Sequence, residues 1–229
     1  MKISREIKQG SPQWFQAKCG LISASHAHEV VTPAKLTEGA ANAYCARLVA
    51  ERHLGKPADT TQASQAMERG IVMEKKARDW AAFQLNVDIE EVGLITTNDG
   101  RFLCSPDGII AETAGVEIKC RMVAAHTAHL LEHIARKDDP TWYDKGARLQ
   151  IQMGLWITGW PKWYYIGYCP DSKTILREYG PEPEVQDALT KFLPKFDKRV
   201  DDAVAAIRGM DDREGLDADG KAAAVAFDL

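Results

Sequence analysis

A single α/β domain, built on a central mixed β-sheet with helices on its flanks, is the fold class this sequence predicts. Three observations carry that expectation. Segments of helical periodicity alternate with short β-branched and aromatic runs along the body of the chain. The stretch from Cys104 to Cys120 reads as a hairpin that gathers charged groups on one face. At 229 residues, 45% hydrophobic and 27% charged, the chain has the composition of a globular protein and room for one sizeable core.

Composition also narrows the functional classes. No apolar run approaches the roughly 20 residues of a membrane span, so no membrane role is expected. The opening MKISREIKQGSPQW lacks the apolar core of a secretion signal. Five scattered cysteines without CxxC spacing suit reduced thiols in the cytoplasm rather than disulfides, zinc or an iron–sulfur cluster. The net charge of −4 is unevenly spread. Residues 201–229 hold eight acidic and three basic residues, a net of −5, which leaves +1 on the first 200. A near-neutral body of this kind neither requires nor excludes a nucleic-acid partner.

Taken in order, the first element lies between Gln9 and Val31. Gly20 breaks it, and Ser23 or Ser25 can cap a helix running through Val30 and Val31. A helix N-terminus with a serine hydroxyl beside Lys18 can also receive an anion. Leu36 to Leu54 reads as a helix striped by Ala40, Tyr44, Leu48 and Val49 and ended by Gly55, with His53 a partner of its C-terminal dipole. Residues 63–85 form a longer helix on which Gly70, Glu74, Ala77, Ala81 and Leu85 share one side. Glu74 is the charged member of that face, and either an ion-paired residue or a site residue. Glu90 to Thr97 reads as a strand with Glu91 as surface charge. Asn98-Asp99-Gly100 turns the chain, and Arg101 to Cys104 begins the next strand.

Pro106-Asp107-Gly108 is turn chemistry, Ile109-Ile110-Ala111 a short strand, and Gly115 to Cys120 a second strand. Alternation puts Glu117 and Lys119 on one face and Val116, Ile118 and Cys120 on the other. A bare ExK tripeptide is most often a surface ion pair. Here it follows a Pro-Asp by ten residues, and Asp107 with Glu117 can offer carboxylates to a hard divalent cation such as Mg²⁺. Lys119 can then orient the attacking water or stabilise charge in the transition state.

Met122 to Ile134 reads as a solvated or DNA-facing helix with His126, His129 and His133 on one face, a weak pattern for zinc. After a loop at 137–141, Trp142 to Thr158 is a mostly buried helix. Gln150 and Gln152 lie about 200° apart around it, so only one can face a site. Lys162 to Cys169 and Thr174 to Tyr179 form a hairpin completing the sheet, whose Trp160, Trp163, Tyr164 and Tyr165 are core or sheet surface. Pro181 to Gly209 is a long helix interrupted by Pro194. The domain therefore occupies 1–209, with a loosely ordered acidic tail at 210–229.

The motif CSPDG…GVEIKC resembles the PD-(D/E)xK nuclease superfamily, with its restriction-endonuclease-like fold. Within it, the chain is similar to the phage lambda exonuclease, or YqaJ-like viral recombinase, family. Trp14, Lys18, Gly20 and Leu21-Ile22-Ser23-Ala24-Ser25 follow the family's opening motif, Gly70 and Glu74 its G-x(3)-E, and Gln150 with Gln152 its QxQ. The resemblance covers roughly residues 14–168. It implies a phosphodiesterase that digests one strand of linear double-stranded DNA in the 5′-to-3′ direction, leaving 3′ overhangs for single-strand annealing. It implies one or two Mg²⁺ ions, for which Mn²⁺ can substitute, held by Glu74, Asp107, Glu117 and the Ile118 carbonyl. Lys119 and Gln150 would position the nucleophile, while Gln152 would be structural. Lys18, Ser25 and Ser105 would hold the terminal 5′-phosphate. Lambda-type enzymes have arginine where this chain has Lys18, which keeps the charge and loses the bidentate fork.

Met67 corresponds to an apolar residue that in lambda-type enzymes wedges at the duplex end, but a core role is the favoured reading for it. A homotrimeric ring, a Bet-like single-strand annealing partner and a phage or prophage origin in a bacterial cytoplasm also follow from the resemblance. Two rivals stand beside this reading. One is a sequence-specific or RecB-like nuclease on the same fold, and the other is a non-catalytic DNA-end-binding recombination protein.

Overall fold

The computed structural model describes residues 1–58, 65–139, 144 and 146–210, with the backbone alone for 65–71. The expected tail from residue 211 onward, the Met67 side chain and Trp142 lie outside the described residues. Strand β1 (Lys2–Ser4), helix α1 (Pro12–Lys18), strand β2 (Ile22–Ser23) and the short helix α2 (Ala27–Val30) open the chain. Helices α3 (Asn42–Leu54) and α4 (Gln65–Leu85) follow. Strands β3 (Leu94–Thr96), β4 (Phe102–Cys104), β5 (Gly108–Ile110) and β6 (Ala114–Cys120) form the middle. Helices α5 (Val123–Ala135) and α6 (Arg148–Thr158), strands β7 (Lys162–Tyr168) and β8 (Ile175–Tyr179), and helix α7 (Pro183–Gly209) complete it.

The α/β class with mixed sheets and flanking helices is what the chain adopts, and its strands divide into two four-stranded sheets. The first runs β1-β3-β4-β2 and the second β5-β6-β7-β8, each with one parallel pair among antiparallel ones. An antiparallel bridge between Glu90 and Ile109 ties the two together. The parallel pair β6–β7 is joined by a crossover containing α5 and α6, as parallel strands require. Its register sets Glu117 beside Tyr165.

Helix α6 is apolar around most of its circumference, and Leu149, Ile151, Met153, Leu155 and Ile157 are all buried. The Trp163 indole is wedged between α6 and β6. A Cβ built on Gly154 would stand 2.5 Å from the ring, and one on Gly115 2.4 Å. Gly154→Ala is therefore expected to overpack the core and to lower unfolding free energy by about 1–3 kcal/mol. A denaturant midpoint equal to wild type would refute this account of the packing.

Helix α7 buries Val185, Ala188, Leu189, Phe192, Leu193, Phe196, Val200 and Val204, the apolar stripe of an amphipathic helix. Asp197 pins it, accepting from Arg52 and from Arg101 at 2.7 Å each. Arg52 and Asp197 are 12% and 14% exposed, and each has a second partner, Asp201 for Arg52 and Arg101 for Asp197, so the pair belongs to a network rather than standing alone.

Several expectations are corrected. Helix α3 starts at Asn42, not Leu36, because Leu36 and Ala41 take left-handed conformations and Thr32 and Thr37 bond each other in a closed loop. Helix α7 continues through Pro194, which sits on the exposed face, where solvent can meet the carbonyl that loses its N–H donor. Neither Ser23 nor Ser25 caps a helix through its side chain; their hydroxyls pair with each other at 2.9 Å.

Pro106-Asp107-Gly108 is no tight turn. Asp107 N–H donates to Val116 O at 2.9 Å, in continuation of the β5–β6 ladder. The hairpin reverses instead after Ile110, through left-handed Ala111 and Glu112. The histidine face of α5 is not solvated either. His126 and His129 are buried, with Nε2 atoms 2.7 Å from Lys173 O and 2.9 Å from the Tyr165 hydroxyl. Solvent instead meets the apolar Met122, Val123, Leu131 and Ile134.

Candidate active site

Alternation along β6 places Glu117 and Lys119 on one face, and the fold supplies the rest from three other elements. Lys119 Nζ donates to Glu117 Oε1 at 2.5 Å and to Gln150 Oε1, on α6, at 3.3 Å. Gln150 Nε2 donates to Glu117 Oε2 at 2.8 Å. Glu117 is 2% exposed, so a carboxylate, an ammonium and an amide form a closed triangle at the floor of the site. Gln152 turns the other way: its Nε2 donates to Gly180 O at 2.9 Å and its Oε1 accepts from the Glu182 N–H at 2.9 Å.

Asp107 enters from the link between β4 and β5. Its Oδ2 accepts the Ile118 N–H at 2.6 Å, which seats the carboxyl over the middle of β6. Three bonds hold that link: Asp107 N–H to Val116 O, Gln9 Nε2 to Pro106 O at 2.9 Å, and Arg78 Nε to Asp107 O at 2.7 Å. Glu74 is half-buried on α4, one turn before Arg78.

The electrostatics belong to one cluster. Burial, then the charge of Glu117, pushes the Asp107 carboxyl up to about 7. Burial, then Asp107, pushes Glu74 up to about 7. Burial also raises Glu117, against the pull of Lys119. Burial works against the Lys119 ammonium, but Glu117 and Asp107 outweigh it and hold the lysine above its ordinary range. Three desolvated carboxyls facing one another repel, and a divalent cation would relieve that repulsion. Their oxygen chemistry fits Mg²⁺. Among the described residues, no three His, Cys, Asp or Glu side chains converge as a ready-made cage. Glu117 already accepts from Lys119 through one oxygen and from Gln150 through the other, so a cation would share these oxygens with those donors.

The three residues expected to hold a terminal phosphate are joined indirectly. Lys18 Nζ lies 3.7 Å above the Trp14 ring, and Trp14 Nε1 donates to Ser105 Oγ at 3.3 Å. Ser25 is exposed and bonds Ser23, which shares a cavity wall with Lys18.

Comparison with known proteins bears on this arrangement. Residues 13–161 match the YqaJ-like viral recombinase domain. The chain belongs to that family. An alkaline exonuclease, LHK-Exo from Laribacter hongkongensis, shares the fold with a TM-score of 0.67 at 23% identity, over 86% of this chain and 98% of that one. Its complex with dAMP compares with the same values. A phage-related exonuclease from Haemophilus somnus 129PT has a TM-score of 0.57 at 12% identity, covering 82% and 96%. At such identities the likeness is one of fold. A comparison with curated protein sequences finds no match.

Membership of the YqaJ-like family and the exonuclease fold together support a nuclease. The matched range of the YqaJ-like domain spans every candidate site residue from Lys18 to Gln150. The structure adds two neighbours, Arg78 and Trp14, to the site. Arg78, 13% exposed, clamps the Asp107 carbonyl and pairs with Glu91 at 2.8 Å. Its i+4 spacing from Glu74 was the available signal. Trp14, read only as part of a motif, joins Lys18 to Ser105. No local signal announces that, because 91 residues separate the indole from its serine. No helix among the described residues is long and apolar enough to cross a membrane.

Proposed function

We propose that this YqaJ-like domain is a Mg²⁺-dependent exonuclease that digests one strand of linear duplex DNA from its 5′ end, leaving 3′ overhangs for recombination by annealing. The observation that supports it best is the closed Glu117–Lys119–Gln150 triangle with Asp107 seated on the same strand. Glu74, Asp107, Glu117 and the Ile118 carbonyl would hold one or two ions, and Mn²⁺ could replace Mg²⁺. Such an ion, when bound, supplies charge neutralisation at the scissile phosphate and a more acidic water.

The chain's own groups have separate tasks. Asp107 is held by the Ile118 N–H through one oxygen, which fixes the direction of the other. Gln150 fixes the Glu117 carboxylate and, through its carbonyl oxygen, the height of the Lys119 ammonium. Lys119 stays charged and lies where it can stabilise negative charge developing on a phosphoryl oxygen. Its flexible head can also orient the attacking water. Lys18, Ser25 and Ser105 would receive the terminal 5′-phosphate, and Ser105 lies two residues from Asp107, so each cut would present a new 5′-phosphate to the same place.

Degradation of end-labelled duplex tests polarity and pocket together. Linear duplex with a 5′-phosphate should be digested about tenfold faster than the 5′-hydroxyl form, and closed circles should resist. Equal cutting of the two ends, or digestion starting at 3′ ends, would overturn both assignments. A homotrimeric ring around the product strand would give processivity without a strongly basic surface. Light scattering that returns a monomer at micromolar concentration would remove it. We also infer a Bet-like annealing partner for the exposed strand and a phage or prophage origin. Pull-down of that partner by a chain ending at Gly209 would rule out the acidic tail as its docking segment.

A further inference from the structure

Two cations face one small cavity beside the proposed end-binding residues. The cavity measures about 50 Å³, and Lys18, Ser23, His26, Arg47 and Glu51 are among its walls. A single water needs roughly 10–15 Å³ on this measure, so a phosphoryl group has room. Glu51 is 4% exposed and engaged by protein donors. Its Oε2 accepts the Gly20 N–H at 2.7 Å, and its Oε1 accepts from Arg47 Nε at 3.1 Å. His26 Nδ1 lies 2.6 Å from Glu29 Oε1. Among the described residues, Lys18 has no carboxylate partner and rests on the face of Trp14.

Lys18 and Arg47 against Glu51 leave the cavity one charge positive; without Arg47 it is neutral. Burial, and then the charge of Arg47, pushes Lys18 down to about 8, as expected of two cations in one poorly solvated space. Arg47 is 42% exposed, so it reaches the cavity mouth while its Nε holds Glu51. Lysine offers no bidentate fork to a phosphate, and the guanidinium on the neighbouring helix does.

We propose that Arg47 is a specificity-determining residue for a terminal phosphate monoester. It would supply the second positive charge with which the Lys18 cavity distinguishes a dianionic monoester from a monoanionic diester. The inference rests on the reading of the chain as a 5′-end-dependent nuclease. The terminal phosphate of a duplex and free phosphate share this chemistry, so both enter the test.

Fluorescence anisotropy of the full chain in EDTA, which prevents cleavage, would be measured on one duplex bearing a 5′-phosphate, a 5′-hydroxyl or a 3′-phosphate, with inorganic phosphate as competitor. Wild type should prefer the 5′-phosphate by about tenfold. Inorganic phosphate should erase that preference. Arg47→Met should reduce it to within about twofold, and Arg47→Lys should retain part of it. Arg47→Gln, which keeps a donor for Glu51, should behave as Arg47→Met and guards against a folding defect in the latter. An undiminished preference in both neutral variants would overturn the proposal. A wild type that binds all three ends equally would instead overturn the 5′-end reading beneath it.

Discussion

Glu117→Gln and Asp107→Ala are each expected to slow hydrolysis of linear, 5′-phosphorylated duplex by about 10³-fold or more, with duplex affinity changed by no more than about threefold. Both carboxyls are buried or half-buried against β6 and already accept from protein donors, Asp107 from the Ile118 N–H and Glu117 from Gln150 Nε2. Glu117→Gln keeps the size and shape of the side chain, removes its charge and turns one of its two acceptor oxygens into a donor, so lost packing volume cannot explain its effect. Lys119→Ala should cost about 10²–10³-fold, the scale of one preorganised stabilising group. Single-turnover cleavage with Mg²⁺, beside anisotropy for binding, separates the two quantities. Near wild-type cleavage by both carboxyl variants would sink the assignment. A wild type that binds ends and never cleaves would favour the non-catalytic end-binding reading.

The second large effect concerns the metal-free protein and its pH dependence. Asp107 stands at about 7, pushed up by burial and by Glu117, whereas an exposed aspartate titrates near 3.8. Between those values the folded state binds the proton more tightly than the unfolded state. Its contribution to stability is therefore present at low pH and lost as pH rises through about 7. Glu74 acts in the same direction, since burial and Asp107 raise it to about 7. Asp107→Asn keeps an acceptor for the Ile118 N–H and removes the charge. It should be more stable than metal-free wild type at pH 8 by roughly 2 kcal/mol, with the difference vanishing near pH 4. Millimolar Mg²⁺ should raise the wild-type transition at pH 8 and leave the variant nearly unmoved. A variant no more stable than metal-free wild type at pH 8 would show that the carboxyls are not in conflict.

Period and spacing determine much of this protein at the local level. Glu117 and Lys119 share a face because side chains alternate along a strand, and Gln150 and Gln152 diverge because residues two apart on a helix must. The long stripe of α7 and the end of α3 at Gly55 follow from the same local geometry. Local geometry thus determined the α/β class and the shared face of Glu117 and Lys119, while the resemblance to the family's QxQ motif, not periodicity, singled out Gln150. Tertiary structure decided what depends on solvent and on distant chain. Whether Pro194 breaks α7 turned on which face meets water, and the histidines of α5 were drawn inward by Tyr165 and by the carbonyl of Lys173. Pro106-Asp107-Gly108 became a link between two sheets because its backbone pairs with β6 rather than with itself. Arg78 reaches Asp107 across 29 positions, and Trp14 reaches Ser105 across 91. Contacts at such separations carry no periodic signature, since they exist only once hydrophobic burial has brought the elements together.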